Sequence, residues 1–297
     1  MTNVSDVLGA VQEHLDQAGI DSPAAEAAII VAHVLQVSRG KLGVMQVLGE
    51  DLTEASVANI DQLVQARATR VPLQHLTGQT TFYGVDLHIE PGVFIPRVET
   101  EVLVETTLHH VRDAGWKAVN LLDLCTGSGA IAAALAAQLA HYDIDTRVWA
   151  VDLNSTAVGL ARQNTDQYKV SVLCADATDT EAVLAADPEL AAYLGTFDVV
   201  VSNPPYIPTL TPVTQAEAVQ DPELALYGGS ADGLAVPLDI ADAAATWLAP
   251  GGFFMMEHDH THAADLSAAL RANSKWQDVR TVQDLTETDR FVSAVRA

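Results

Sequence analysis

Basic residues are scarce in this 297-residue chain: Lys and Arg number 15 against 39 Asp and Glu, a formal net charge of -24. A surface of that sign repels phosphate backbones, which argues against nucleic acid or an anionic membrane as a direct partner and favours a partner with a basic patch. Cysteine is scarcer still. Cys125 and Cys174 are too few and too far apart for a disulfide framework or a zinc knuckle. Near the ends of apparent strands, both read as buried small residues. Long apolar runs are missing as well: none could span a bilayer, and the opening Met1-Thr2-Asn3-Val4-Ser5-Asp6 has neither a basic nor an apolar signal region. The expectation is a cytoplasmic protein, with a monomer favoured.

The length favours two domains. Residues 1–75 read as a small helical bundle: Val4, Val7, Leu8, Val11 and Leu15 recur at helical spacing, Ser22-Pro23 makes an N-cap and N1 pair, and Ala55 to Arg70 follows Thr53 as a further helix. Such a bundle serves equally as a partner-docking module or as a stabilising cap. Between 76 and 96 the period changes to two over Thr81 to Ile89, followed by Glu90-Pro91-Gly92, which predicts a β-hairpin linking the domains.

Residues 97–297 alternate strands with helices. Strands are expected at Val119–Leu124, Arg147–Val151, Val170–Leu173, Phe197–Ser202 and Gly252–Glu257, with two more around Val279–Val282 and Arg290–Val295. Helices are expected at Ala130–Leu139, Ser155–Asn164, Glu181–Tyr193 and Leu234–Leu248. This is the pattern of an α/β, doubly wound, Rossmann-like sheet of about seven strands with helices on both faces.

Four strand ends carry chemistry. The first runs through Asp123 into Cys125-Thr126-Gly127-Ser128-Gly129 and then a helix, a turn whose glycines admit a ligand to the backbone and whose helix N-terminus suits an anionic group. The second ends in Asp152, a carboxylate placed to accept both ribose hydroxyls of an adenosine. A nicotinamide cofactor and S-adenosylmethionine both fit this far. The fourth strand decides between them. It stops at Asn203-Pro204-Pro205-Tyr206, where the Asn oxygen and the next carbonyl can accept, neither proline nitrogen can compete as donor, and Tyr206 can lie on a flat group. That device holds an NH2 group, the nucleophile of a methyl transfer, although a plain Asn-Pro turn has the same sequence. On the third strand Asp176, followed by Ala177, reads either as an acceptor for the adenine amine or as a helix N-cap.

From Val71 to Val295 the chain resembles the release-factor glutamine methyltransferases within the class I S-adenosylmethionine-dependent enzymes. The resemblance is carried in order by Pro72 to Gly78, Pro91 to Glu101, Asp123 to Ala130, Asn203 to Ile207, Glu223 to Leu226 with Gly228-Gly229, and Pro250-Gly251-Gly252. It implies methylation of the side-chain amide nitrogen of the glutamine in the Gly-Gly-Gln loop of peptide chain release factors. It makes residues 1–75 a substrate-docking domain and 97–297 the methyltransferase domain. It also implies that Cys125 to Gly129, Asp152, Asp176, Ala177 and Asn203 line the cofactor site, that Asn203 to Tyr206 bind the glutamine and act on it, and that Ile95 to Arg97 and Glu99 to Glu101 border the pocket.

The chain departs from the family pattern at Cys125, where glycine is usual, at Val98, where proline is usual, and at Ala177, which is aromatic in some relatives. After the fifth strand it reads Glu257-His258-Asp259-His260-Thr261-His262. Three alternate histidines would share one face if extended and so suggest a metal site, but a solvated loop explains them and no metal is expected. The alternative functions are an adenine-amine methyltransferase on DNA, whose NH2 fits the same slot, and a catalytically silent binding protein of the same fold.

Overall fold

The structure, a computed structural model, describes residues 2–212 and 217–297. The chain divides into two compact units, one running to Gln79 and taking in residues 217–220, the other holding residues 80–212 and 221–297.

The first unit is helical, with α1 (Val4–Gln17), α2 (Pro23–Leu35), α3 (Arg39–Leu48), α4 (Glu54–Ala68) and the short α5 (Leu73–Thr77). Two-residue strands β1 (Thr2–Asn3) and β2 (Asp51–Leu52) pair antiparallel. The side chains of Asn3, Ser38 and Thr53 accept the N–H of Asp6, Lys41 and Ser56, satisfying donors that the first turn of a helix leaves free. Val4, Val7, Val11 and Leu15 of α1 meet Ile30 and Val31 of α2, Leu42 of α3 and Ile60 and Val64 of α4 in one core. Among the described residues of that unit one charged side chain is buried: Arg67 donates to Glu26 at 2.6 Å and to Glu217 at 3.1 Å. Removing either acid leaves a guanidinium under-compensated away from water. Among the described residues no single helix is long and apolar enough to cross a membrane.

From residue 80 the second unit opens with the hairpin of β3 (Gln79–Phe82, its first residue closing the first unit) and β4 (Val85–His88), turned by Tyr83 and Gly84, both at positive φ, as a tight two-residue turn requires. The pairing is shorter than the stretch read from sequence; residues 89–97 are turn and extended chain. Helix α6 (Glu101–Asp113) leads into β5 (Ala118–Leu124), α7 (Ala130–His141), β6 (Asp145–Asp152), α8 (Ser155–Thr165), β7 (Ser171–Cys174), α9 (Thr180–Ala186) and β8 (Phe197–Ser202). Then follow α10 (Ala235–Trp247), β9 (Leu248–Glu257), α11 (Ala263–Ala272), β10 (Trp276–Gln283) and β11 (Asp289–Arg296).

The strands form one sheet of seven in the order β10-β11-β9-β8-β5-β6-β7. Strands β5 to β9 are mutually parallel, and β11 runs antiparallel to both neighbours. Alternate residues feed two cores. Leu121, Val199, Val201, Phe253 and Met255 face the side covered by α6, α7 and α8, whereas Leu122, Val200, Phe254 and Met256 face α10 and α11. The doubly wound expectation therefore holds.

Three local readings need correction. The helix expected over 181–193 breaks after Ala186, because Pro188 lacks the N–H a helix needs, and Pro188–Tyr193 continues as a 3-10 helix. Helices α6 and α11 were not anticipated. Cys174 is exposed at the end of edge strand β7 and Cys125 is half-buried, so neither is a fully buried core residue.

Candidate active site

The chain winds outward from β5 to β6 and β7, then returns to place β8 on the other side of β5. The carboxyl ends of these strands therefore flank a switch point, where an open α/β sheet leaves a crevice. A cavity of about 1180 Å³, its open mouth included, occupies that position.

One wall is built largely from backbone. The turn after β5 is held by Thr126 N–H on the Val151 carbonyl at 3.0 Å and Gly129 N–H on that of Thr126 at 2.9 Å. Asp152, at the end of β6, accepts the N–H of Gly127 at 2.7 Å and of Asn154 at 2.8 Å, one on each carboxylate oxygen. Burial pushes its pKa up, and the peptide donors oppose that. Each oxygen keeps a lone pair for a further donor, which fits a ribose diol. Cys125 stands at φ 62, the left-handed region, which accounts for glycine being usual there. Its thiol is held protonated by burial and by the charge of Asp152. Asp123 lies beneath, fully buried, taking the Thr126 hydroxyl at 2.5 Å, and burial pushes its pKa up to about 7. Asp176 accepts both the N–H and the hydroxyl of Thr178 on one oxygen, closing its own turn; the N-cap of α9 is Asp179, so the helix-cap reading of Asp176 is not realised.

The opposite wall is built from side chains of distant segments. Ser202 donates to the Leu124 carbonyl at 2.7 Å and joins the ends of β8 and β5. Beyond it, Asn203 Nδ2 donates to Thr100 Oγ1 at 3.4 Å, Thr100 Oγ1 donates to Glu257 Oε2 at 2.6 Å, and the Tyr206 hydroxyl donates to Glu257 Oε1 at 3.1 Å. Among the described residues neither Asn203 Oδ1 nor the Pro204 carbonyl accepts a hydrogen bond. Burial raises the pKa of Glu257, opposed by its two hydroxyl donors, and raises that of Tyr206, further lifted by Glu257. The segment is braced from behind: Tyr206 and Ile207 N–H share the Leu226 carbonyl at 3.1 and 2.7 Å. A Cβ on Gly233 would collide with the Tyr206 carbonyl, and one on Gly228 with that of Gly233, which explains glycine at both positions. Arg97 ties Pro96 to the segment carrying Leu224 through a 2.5 Å ion pair with buried Asp221.

Cys125, Thr126, Gly127, Ser128, Asp152, Asp176, Ala177 and Asn203 to Tyr206 all line the cavity. Gly129 does not. Its φ is +81, and a Cβ there would lie 3.0 to 3.2 Å from Thr165 and Ala161, so this glycine lets α7 pack on α8. Val98 is exposed and does not line this cavity, while Glu101 caps the hairpin by accepting Tyr83 N–H at 2.8 Å. Thr100 lines the cavity within the expected border of Glu99 to Glu101, but sequence reasoning gave it no role of its own and missed Glu257 behind it. The histidine run is not extended: it leaves β9 at Glu257 and turns through a 3-10 helix at His260–His262, with His258 and His262 buried and His260 exposed. Among the described residues no group of three or more His, Cys, Asp or Glu is placed to hold a metal ion.

Residues 6–78 match the PrmC N-terminal domain model and residues 84–220 the methyltransferase small domain model. A release factor glutamine methyltransferase of Mycolicibacterium smegmatis is 40% identical over 298 residues, covering 100% of this chain and 99% of that protein. Proteins of the same name from Mycobacterium tuberculosis and Mycobacterium leprae are each 37% identical, covering 95% of this chain and 88% and 93% of their own lengths.

Proposed function

The chain belongs to the release factor glutamine methyltransferase family, and on that premise we propose that the cavity at the switch point is where glutamine and S-adenosylmethionine meet. The enzyme transfers a methyl group from S-adenosylmethionine to the side-chain amide nitrogen of the glutamine in the Gly-Gly-Gln loop of a peptide chain release factor. The bound cofactor supplies an electrophilic methyl group on a sulfonium centre. Cys125 to Ser128, Asp152, Asp176 and Ala177 hold that cofactor in our reading, supported by the free lone pairs of Asp152 and the open space before Gly127, where a Cβ would meet nothing within 4 Å.

The observation that carries the acceptor assignment is the pair of unused oxygens, Asn203 Oδ1 and the Pro204 carbonyl, at the cavity wall. An amide nitrogen is a poor nucleophile because its lone pair is delocalised. Two acceptors, one for each N–H, raise the electron density on nitrogen and fix its lone pair toward the methyl group; orientation of this kind supplies much of a transfer's acceleration. With the cofactor bound, the nitrogen would gain the N–C bond as the C–S electron pair goes to sulfur, and one N–H proton would pass to water, so no strong base is needed. Tyr206 and Pro205 shape the slot. The helical unit docks the protein substrate, the hairpin stretch joins it to the catalytic unit, and the acidic surface favours a protein over a nucleic-acid acceptor. We place the reaction in the cytoplasm and assign it to a monomer.

The test is label transfer from radiolabelled S-adenosylmethionine to a release factor, to its Gln→Ala loop variant and to duplex DNA, each with wild-type and Asn203→Ala enzyme. Label on the intact release factor alone, lost with Asn203→Ala, is expected. Label on DNA, or none anywhere, would sink the reading.

A further inference from the structure

Resting on the glutamine reading above, the geometry points to Thr100 and Glu257 as positioning residues that hold Asn203 with its amide oxygen toward the substrate. An asparagine amide is nearly symmetric in shape, so packing alone does not choose between its oxygen and nitrogen; hydrogen bonding must. Here the choice is made in two steps. As a carboxylate Glu257 can only accept, and its Oε2 takes the single proton of Thr100 at 2.6 Å. The Thr100 oxygen is left with lone pairs alone on its other side, and it takes the Asn203 Nδ2–H at 3.4 Å. The amide nitrogen is thereby turned to Thr100 and Oδ1 away from it. Were the amide reversed, its NH2 would meet the substrate NH2, donor against donor. Successive hydrogen bonds also polarise one another, so a carboxylate at the head of the chain strengthens Oδ1 as acceptor.

The cost of the arrangement argues that it is used. Glu257 is 2% exposed, and Arg290, whose charge acts on it, is bonded to Asp284 at 2.8 Å; among the described residues Glu257 has no ion-pair partner. A buried carboxylate held, among the described residues, by two hydroxyls alone is an expensive way to fill a strand end. Its second oxygen takes the Tyr206 hydroxyl at 3.1 Å, so one group fixes both the amide and the ring of the slot.

The experiment compares wild type, Thr100→Val, Thr100→Ser, Glu257→Gln and the Thr100→Val/Glu257→Gln double variant for kcat and KM on a release factor, cofactor Kd by calorimetry, and melting temperature. Thr100→Val and Glu257→Gln should each lower kcat about tenfold or more, with KM and cofactor Kd within about threefold. Thr100→Ser, which keeps the hydroxyl, should restore kcat to within about threefold, and the double variant should be no worse than the poorer single, as members of one chain behave. Unchanged kcat in Thr100→Val, no rescue by Thr100→Ser, or additive losses would each overturn the assignment. If Glu257→Gln does not fold, the Val and Ser variants of Thr100 decide alone. A wild-type enzyme that labels no release factor condemns the glutamine reading, and this inference with it; an active wild type with indifferent Thr100 variants condemns only the inference.

Discussion

The two walls of the cavity are stabilised by different kinds of bond. On the wall we propose for the cofactor, peptide N–H groups of Gly127 and Asn154 grip Asp152, and the turn closes on neighbouring carbonyls. Once β5 and β6 pair in register, that wall is formed. On the acceptor wall, Asn203, Thr100, Tyr206 and Glu257 meet side chain to side chain across 51 to 157 positions of sequence. It exists only when three remote segments converge. A site can therefore fail in two separable ways, by losing its cofactor or by keeping it and presenting the amide badly.

The largest effects should divide along that line. Asp152→Asn places an NH2 against a peptide donor and should weaken S-adenosylmethionine binding about a hundredfold by calorimetry. Asn203→Ala should leave that affinity within a few-fold while lowering kcat by roughly a hundred- to a thousandfold, the range for one oriented polar group at a reacting centre. If Asn203→Ala instead lost cofactor and kept kcat at saturation, the division of the walls would be wrong.

A second contrast lies beneath the cofactor wall. Asp152 is gripped by peptide donors on both of its oxygens, whereas in fully buried Asp123 burial outweighs the Thr126 hydroxyl and the Ala132 N–H and its pKa rises from 3.8 to about 7. A raised folded-state pKa means the folded protein binds the proton more tightly than the unfolded chain. Its stability contribution is full below pH 4 and is lost as the pH rises through about 7. Three pH units at about 1.4 kcal/mol each set a ceiling of about 4 kcal/mol. Urea unfolding of Asp123→Asn and wild type across pH 4 to 8 should show the wild-type curve falling relative to the variant in that window; parallel curves would remove Asp123 as the cause.

Which parts could be read in advance follows from the same division. Asn203 to Tyr206, Cys125 to Ser128 and Asp152 each stand at the end of an apolar strand run, so strand recognition and chemistry agree over a few consecutive residues. Glu257 was visible at a strand end too, but its meaning depends on Thr100, far off in sequence, and no local pattern pairs them. Gly129 misled for the opposite reason: a glycine in a strand-to-helix turn suggests room for a ligand, yet this one serves helix packing. Helix α6, with Leu103, Val104, Leu108 and Val111 buried at helical spacing, carried a readable signal that went unused. The histidines failed because alternation implies one face only in an extended chain, and Asp259 accepting Thr261 N–H turns the chain there.

The packing role of Gly129 predicts a smaller, purely structural effect. Gly129→Ala must hold a side chain at φ +81 with its Cβ 3.0 to 3.1 Å from Thr165 and the Ala161 backbone. The conformational strain and the crowding together should cost about 2 to 3 kcal/mol of unfolding free energy. Equal stability would show that α7 and α8 can part at no cost.

Cys125 gives the smallest and cleanest test of the backbone wall. Its left-handed φ of 62 costs a residue with a Cβ about 1 to 2 kcal/mol, which glycine avoids. Glycine gives back about 0.5 to 1 kcal/mol through the greater freedom of its unfolded chain. Comparing Cys125→Gly with Cys125→Ala removes the thiol from both sides of the balance and leaves only these two terms, so glycine should be the more stable by about 0.5 to 1 kcal/mol in urea unfolding. Alanine the more stable of the two would mean that the turn relaxes out of the left-handed region when the thiol goes. The thiol's packing against the strand ends, and not the peptide hydrogen bonds, would then be what shapes the cofactor wall.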